Sequence, residues 1–537
     1  MLARIVSAAV LGIDAYLVDV ETDIAAGLPT FATVGLPHGA VKEGRERVNS
    51  AIQNAGYTFP LARITVNLAP ADRPKSGSAF DLPVALGILG ASEQVSLEGL
   101  KGWLVLGELG LDGEIRPVRG ALSIAVAAKQ AGCAGLLLPA GNVREAAVVE
   151  GLDVRGAQTL GDVVRHLGRG PALVRADVQV RELFTARASV DVDFGEVKGQ
   201  EHAKRALEVA VAGGHNVLMV GPPGSGKTML ARRLPSILPA MSLAEALETT
   251  KIHSVAGMLR AGESLIAVRP FRAPHHTISD AGLVGGGPHT RPGELSMAHR
   301  GLLFLDELPE FRRHVLEVLR QPLEEGLVRL ARANQHVTYP CQVMLMAAMN
   351  PCPCGHFNVG DRACKCGDKR VTDYFTRISG PLLDRIDVSM QTRPVDVKML
   401  SLAAQAERPS AFFRERVEAA RAVQAHRFRD DPGIYSNAQM GSRLLQLHGK
   451  PTASAVRLLE RSVRAFKFSA RAHDRILKMA RTRADLQGNA EITEEDMSFS
   501  VGCRVLDRDG WLAGARGPSG GSVRPPSARI DGKPAQE

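Results

Sequence analysis

Aromatic residues are scarce, at 4% of the 537-residue chain. Proteins that hold single-stranded nucleic acid by stacking its bases use aromatic platforms. Any nucleic-acid contact here is therefore expected to run through backbone phosphates. No apolar run is long enough to span a membrane. The N-terminal stretch MLARIVSAAVLGIDAYLVDVE resembles a signal peptide only at first sight. Asp14 and Asp19 interrupt it, and no cleavage-like site follows a clean apolar run. The β-branched spacing of AYLVDVE reads as a strand. Seven cysteines, an odd number and mostly clustered, argue against a secreted disulfide framework. The expected compartment is the cytosol. Charge of one sign is not extreme either: 66 basic against 57 acidic residues give +9. That excess is compatible with nucleic acid or nucleotide partners without requiring them.

What is present is ordinary globular composition, 45% hydrophobic and 23% charged. The length exceeds what one core organises, and three or four domains are expected. Residues 1–168 mix strands such as RITVNLAPA with helices such as DLPVALGILGAS, where Asp81 is a candidate cap, and read as an α+β domain. Residues 169–193 lack periodicity and read as a linker. Residues 194–392 alternate helix and strand signals with glycine-rich turns, the pattern of a parallel α/β domain. Residues 393–510 are helical, and 511–537, rich in Gly, Pro, Ser and Arg, are expected to be disordered.

NVLMVGPPGSGKTML carries the most specific motif. A strand over Asn216–Val220 runs into Gly221, Pro222, Pro223, Gly224, Ser225, Gly226, Lys227 and Thr228, which open a helix. This is phosphate-loop spacing in the right context. Backbone N–H groups turn inward around phosphate oxygens, Lys227 reaches the β/γ-phosphates and Thr228 binds Mg²⁺. GLLFLDELPEF follows as an apolar strand ending in Asp306, to hold Mg²⁺ through water, and Glu307, to polarise the attacking water. QVMLMAAMN is a third strand ending in Asn350, a candidate for orienting that water. Arg385, in SGPLLDRIDV, could stabilise γ-phosphate charge from a neighbouring subunit. Arg471, at the start of a C-terminal helix, could reach the same phosphate.

That order of motifs resembles the AAA+ ATPases. More narrowly, RPFRAPHHTISDAGLVGGGPHTRPGELSMAHRGLLFLDELPEF and AAMNPCPCG look like the ComM/YifB family, related to the magnesium-chelatase ATPase subunits. The resemblance covers nearly the whole chain. It implies a multidomain α/β protein: an N-terminal α+β Lon-protease-like domain, a central AAA+ phosphate-loop domain and a C-terminal all-α lid. It further implies a homo-hexameric ring with ATP and Mg²⁺ at subunit interfaces. Lys227, Thr228, Asp306, Glu307 and Asn350 would act in cis, Arg385 in trans, and Arg471 as lid sensor. ComM-like proteins are similar to DNA helicases that drive branch migration when transforming DNA is integrated. Single-stranded and branched DNA, with recombination proteins, are the implied partners. The alternative is a chelatase-type motor acting on a metal-insertion partner.

Two inserts fit a ring motor. FRAPHHTIS and GLVGGGPHT offer Arg272, His275 and His276 as DNA-phosphate contacts, and the hairpin-like EEGLVRLARANQHVTYP offers Arg329 and Arg332. An ATP-dependent protease is a third reading. Ser78 sits near the place of a Lon-type nucleophile, but Leu122 stands where the lysine base is expected. The domain is therefore read as a non-proteolytic scaffold, with Arg73 and Lys75 as candidate contacts.

The cysteine-rich insert, residues 351–368, holds Cys352, Cys354, Cys364 and Cys366 as two C-x-C pairs. The spacing is tighter than the usual C-x₂-C knuckle, yet two pairs across a turn can form a Cys₄ zinc site. A disulfide fits a reducing compartment poorly. A loop of free thiols stays open as the alternative.

Overall fold

A computed structural model describes the chain except residues 42, 74, 76, 169, 179–191, 261, 288–289, 333–334, 359–362, 395–407, 432, 505 and 507–537. The tail at 511–537 and most of the 169–193 linker thus lie outside the described residues.

The N-terminal part is built on a seven-stranded mixed sheet. Its order is Thr30–Val34, Arg63–Ala69, Asp14–Ala25, Leu2–Leu11, Trp103–Val105, Gly135–Pro139, Asp153–Ala157. Leu2–Leu11 and Asp14–Ala25 pair antiparallel from Leu2↔Asp23 to Leu11↔Asp14. Their alternation puts Ile5, Val18 and Val20 into the core. Helix Asp81–Ala91 has no polar face, and ten of its eleven residues are buried, as expected of a helix apolar all round. Asp81 is not its cap. The cap position is Phe80, and the buried Asp81 carboxylate accepts two hydrogen bonds from Arg47, at 2.7 and 3.0 Å. Burial still pushes its pKa up to about 6 against that pairing. Lys75, expected as a surface contact, is fully buried and donates to the Pro70 carbonyl. Arg73 lies over the Tyr16 ring, 5.0 Å from its centroid.

The central part is a five-stranded parallel sheet in the order Phe271–Arg272, Leu302–Leu305, Met344–Met349, Val217–Val220, Val388–Gln391. The three middle strands, VLMV, LLFL and MLMAAM, are buried at every position. Covering both faces of a parallel sheet requires such continuous apolar runs. Alternate side chains divide between two cores. Leu218, Val220, Leu303, Leu305, Leu345 and Ala347 face one. Val217, Met219, Leu302, Phe304, Met344 and Met346 face the other.

Helices Ser410–Arg427, Ser442–His448, Ala453–Phe466, Ala470–Gln487 and Glu494–Gly502 follow. One buried carboxylate locks two of them together. Asp485 accepts from Arg427 at 2.7 and 2.5 Å, from Arg481 at 3.0 Å and from Asn437 at 2.8 Å. Removing it strands two arginines out of water, which costs about 3–5 kcal/mol. Asp485→Ala is therefore expected to show a large loss of stability in denaturant unfolding, and a change under about 1 kcal/mol would contradict this account. The N-terminal part docks on helix Leu243–Ala256: Ser254 donates to Glu145, and Lys251 meets Asp14 at 3.3 Å. Among the described residues, no helix is long and apolar enough to cross a membrane.

Candidate active site

Register brings three chain segments to one sheet edge. Val220 pairs with Met349, and Leu305 with Ala347. The residues that follow, Gly221, Asn350 and Asp306, therefore leave the carboxyl ends of adjacent strands, where open α/β sheets bind ligands.

The phosphate loop is anchored by Gly221 N–H donating to Met349 O at 3.2 Å. Gly224 and Gly226 take φ of +77° and +83°. A Cβ at either would meet nothing within 4 Å. The glycines are needed for the left-handed backbone, not for space. Lys227 Nζ folds back on the loop, donating to Gly221 O at 2.7 Å, Pro222 O at 2.9 Å and Asn350 Oδ1 at 3.2 Å. All three ammonium donors are thus held ready for exchange onto phosphate oxygens. Thr228 Oγ1 donates to Asp306 Oδ2 at 2.7 Å. This hydroxyl–carboxylate pair is an oxygen donor set suited to Mg²⁺, which would neutralise phosphate charge there.

Burial lowers the Lys227 pKa to about 8, with Asp306 and Glu307 pulling it back up. A lysine with a lowered pKa loses its charge as pH rises through that value, whereas bound phosphates would keep it charged. Nucleotide affinity is therefore expected to weaken above pH 8, by about tenfold per pH unit until the ordinary lysine range. Binding at pH 9 should take up a proton, read by calorimetry in two buffers of different ionisation heat. Equal heats would contradict it.

Glu307 sits at the exposed rim with φ of +52°, a left-handed conformation uncommon for a residue with a side chain. His276 Nδ1 lies 3.5 Å from Glu307 Oε2, with its ring tilted 34° against His275 at 4.1 Å and edge-on to Phe311. His276, weighed from sequence as a DNA contact, thus faces the acidic pair, while His275 is exposed beside Thr277. Arg272 is held by two bonds to Glu294, at 2.5 and 2.6 Å.

Arg385 and Arg471 lie elsewhere. Arg385 donates to Arg320 O at 2.8 Å, Pro381 O at 2.7 Å and the Glu324 carboxylate. It precedes strand Val388–Gln391, which runs parallel to the phosphate-loop strand with Val388 beside Val217. Arg385 is therefore at the opposite edge of the sheet from its own phosphate loop, with about 13 Å of strand between. Arg471 pairs with Asp384 at 3.0 Å, on that same far edge.

Sequence reasoning missed Gln200 and Thr392. Gln200 Nε2 donates to Ser225 O at 3.1 Å, and the Ser225 and Thr392 hydroxyls are 2.8 Å apart. Neither belongs to a motif. Only Thr392's place just past a strand tip hints at it. The remaining candidates form a separate projection. Strands Leu327–Arg332 and Gln335–Pro340 pair as a hairpin. The hairpin is stapled to a small ribbon, Gly285–Gly286 with Arg291–Pro292, by Tyr339 O–H donating to Thr290 O at 2.7 Å. Arg329 is exposed and pairs with Glu325. The Arg332 side chain lies outside the described residues. In the N-terminal part Ser78 donates to Glu108, while Leu122 is buried with its N–H on Glu145 at 2.9 Å.

The four cysteines converge. Cys352 Sγ lies 3.3 Å from Cys354 Sγ and 3.7 Å from Cys364 Sγ, and all four sulfurs fall within 4.8 Å of one another.

A phosphate loop, an acidic pair and an asparagine on adjacent parallel strands define a phosphate-loop ATPase domain. Comparison places it among the magnesium-chelatase type. Residues 193–400 match the family described as magnesium chelatase, subunit ChlI. Residues 20–142 match subunit ChlI of Mg-chelatase, and 407–504 its C-terminal family. The chain is 41% identical to the competence protein ComM of Haemophilus influenzae over 94% of its own length and 98% of the relative. It is 41% identical, with the same coverage, to YifB of Salmonella typhimurium. The magnesium-chelatase 38 kDa subunit of Rhodobacter capsulatus is 26% identical over 29% of this chain and 50% of the relative. The chain belongs to the ComM/YifB family.

Proposed function

We propose that the protein is an ATP- and Mg²⁺-dependent motor that works as a closed ring of identical subunits, a hexamer, and acts on single-stranded or branched DNA. The observation that carries the ring is the division of the site. The phosphate loop, Thr228, Asp306, Glu307 and Asn350 meet at one sheet edge, while Arg385 and Arg471 share the other. A complete set of charge-stabilising groups then needs the far edge of a second subunit, and repeating that heterologous contact gives a ring when its rotation closes. Arg385 would supply transition-state charge in trans, with Arg471 beside it.

DNA as the substrate is supported by the competence relative and by the stapled hairpin and ribbon, whose Arg291 and Arg329 are exposed. With few aromatics, phosphate contacts would dominate. Such a motor would remodel DNA during recombination of incoming strands. The N-terminal part would serve as a scaffold without proteolysis, since the Ser78 hydroxyl donates to the Glu108 carboxylate and Leu122 stands where a lysine base is expected. The second reading, a chelatase-type motor driving metal insertion through a protein partner, is favoured by the three ChlI matches.

Steady-state ATP hydrolysis with single-stranded, duplex and four-way-junction DNA across a salt series separates the two. The expected outcome is stimulation that fades as salt rises, because phosphate contacts release counterions. Hydrolysis indifferent to every DNA would overturn the DNA reading in favour of a protein partner.

A further inference from the structure

The cysteine cluster lies against the nucleotide site, and its position there suggests a role. The chain passes from Asn350, which accepts from Lys227, to the fully buried Cys352 in two residues. The turn that follows is closed by Gly355 N–H donating to Cys352 O at 2.9 Å. Gly355 then seats on the phosphate loop. A Cβ there would fall 2.4 Å from Pro223 Cδ and 2.9 Å from its Cγ, with φ at +83°. The cysteine turn therefore touches the phosphate loop twice, through Gly355 on Pro223 and through Asn350 on Lys227.

The sulfur geometry indicates what holds that turn. Sulfurs bound at about 2.3 Å around a tetrahedral ion sit about 3.8 Å apart. The observed separations of 3.3 to 3.7 Å, with all four inside 4.8 Å, are close to that arrangement. They are far longer than the bond of about 2.05 Å in a disulfide. Four soft thiolates select a thiophilic cation over Mg²⁺. Cys352 is part of the core beneath the sheet, and Cys354, Cys364 and Cys366 pack against it half-buried. An ion held there would be fixed to the rigid body of the domain.

We propose that the four cysteines bind one zinc ion and that this metal-tied turn clamps the phosphate loop in its nucleotide-binding shape, so that zinc and ATP binding are coupled. The inference rests on ATP binding at the phosphate loop and is independent of the DNA reading. By linkage each ligand must strengthen the other by the same factor.

The test uses the full chain, purified without chelator, with zinc and iron measured per subunit. Zinc is then removed with a mercurial, and the protein is dialysed into Mg²⁺ buffer. Affinity for a fluorescent ATP analogue is read before removal, after it, and after zinc is restored with reductant. The expected result is about one zinc per chain and a loss of nucleotide affinity of about 5–150-fold, recovered on reconstitution. Cys364→Ser should lose both together. Zinc affinity, read by equilibrium competition with a chromogenic chelator, should rise by the same factor when Mg·ATP is saturating. Sub-stoichiometric metal, or iron in its place, overturns the zinc site. Stoichiometric zinc with unchanged nucleotide affinity and an ATP-independent zinc affinity overturns the clamp. Failure of the zinc-loaded protein to bind the analogue at all would instead count against the phosphate loop as an ATP site.

Discussion

Glu307→Gln is expected to bind ATP as well as the unmodified protein and to hydrolyse it roughly 10²–10⁴-fold more slowly, the usual worth of a positioned general base. The two side chains are nearly isosteric, so the phosphate loop, the Thr228–Asp306 bond and the Lys227 contacts keep their partners. What is lost is the ability to take a proton from water. The left-handed backbone at Glu307 aims a carboxylate from the sheet edge at the rim, where His276 is its basic neighbour. Nucleotide titration and phosphate release measured on one preparation check both halves. Retained hydrolysis would remove Glu307 from the chemistry. Lost binding would mean its role is structural.

Arg385→Ala should cost still more hydrolysis, about 10³–10⁵-fold, as when a charge-stabilising arginine is withheld from a phosphoryl group. Nucleotide affinity of the separated subunit should hardly change, because Arg385 sits across the sheet from its own phosphate loop. Mixing makes the test specific. An Arg385→Ala subunit has an intact phosphate loop, and a Lys227→Ala subunit has an intact arginine. If Arg385 completes a neighbour's site, assemblies of both variants contain some complete sites and should regain activity that neither variant has alone. If Arg385 served its own subunit, no mixture would recover. Arg385→Lys should rescue poorly, since an ammonium lacks the planar fork. The bonds from Arg385 to Arg320 and Pro381 carbonyls also shape the local turn. An unfolding control on the separated variant therefore accompanies the mixing experiment.

The parts of the site that could be read in the sequence are those encoded by neighbours along the chain. The phosphate loop is a strand, glycines at left-handed positions and a Lys-Thr pair within a dozen residues. The acidic pair and Asn350 each end an apolar run, and strands buried on both faces leave that signature in any order. The hairpin from Leu327 to Pro340 was equally local. Asp81 and Lys75 misled because a charged letter suggests a cap or a surface, whereas Arg47 and the Pro70 carbonyl, distant or turned inward, decide their burial.

By itself the sequence determined that this chain carries a phosphate loop, an apolar strand ending in an acidic pair and a cysteine-rich insert, because short-range spacing and strand periodicity write those directly. Tertiary structure alone decided where they stand. Strand order set Arg385 and Arg471 on the edge opposite their own phosphate loop. It turned His276 toward Glu307, brought Gln200 and Thr392 to Ser225, and laid Gly355 on Pro223. These pairings join residues from about 25 to more than 160 positions apart, and each depends on which strands lie side by side.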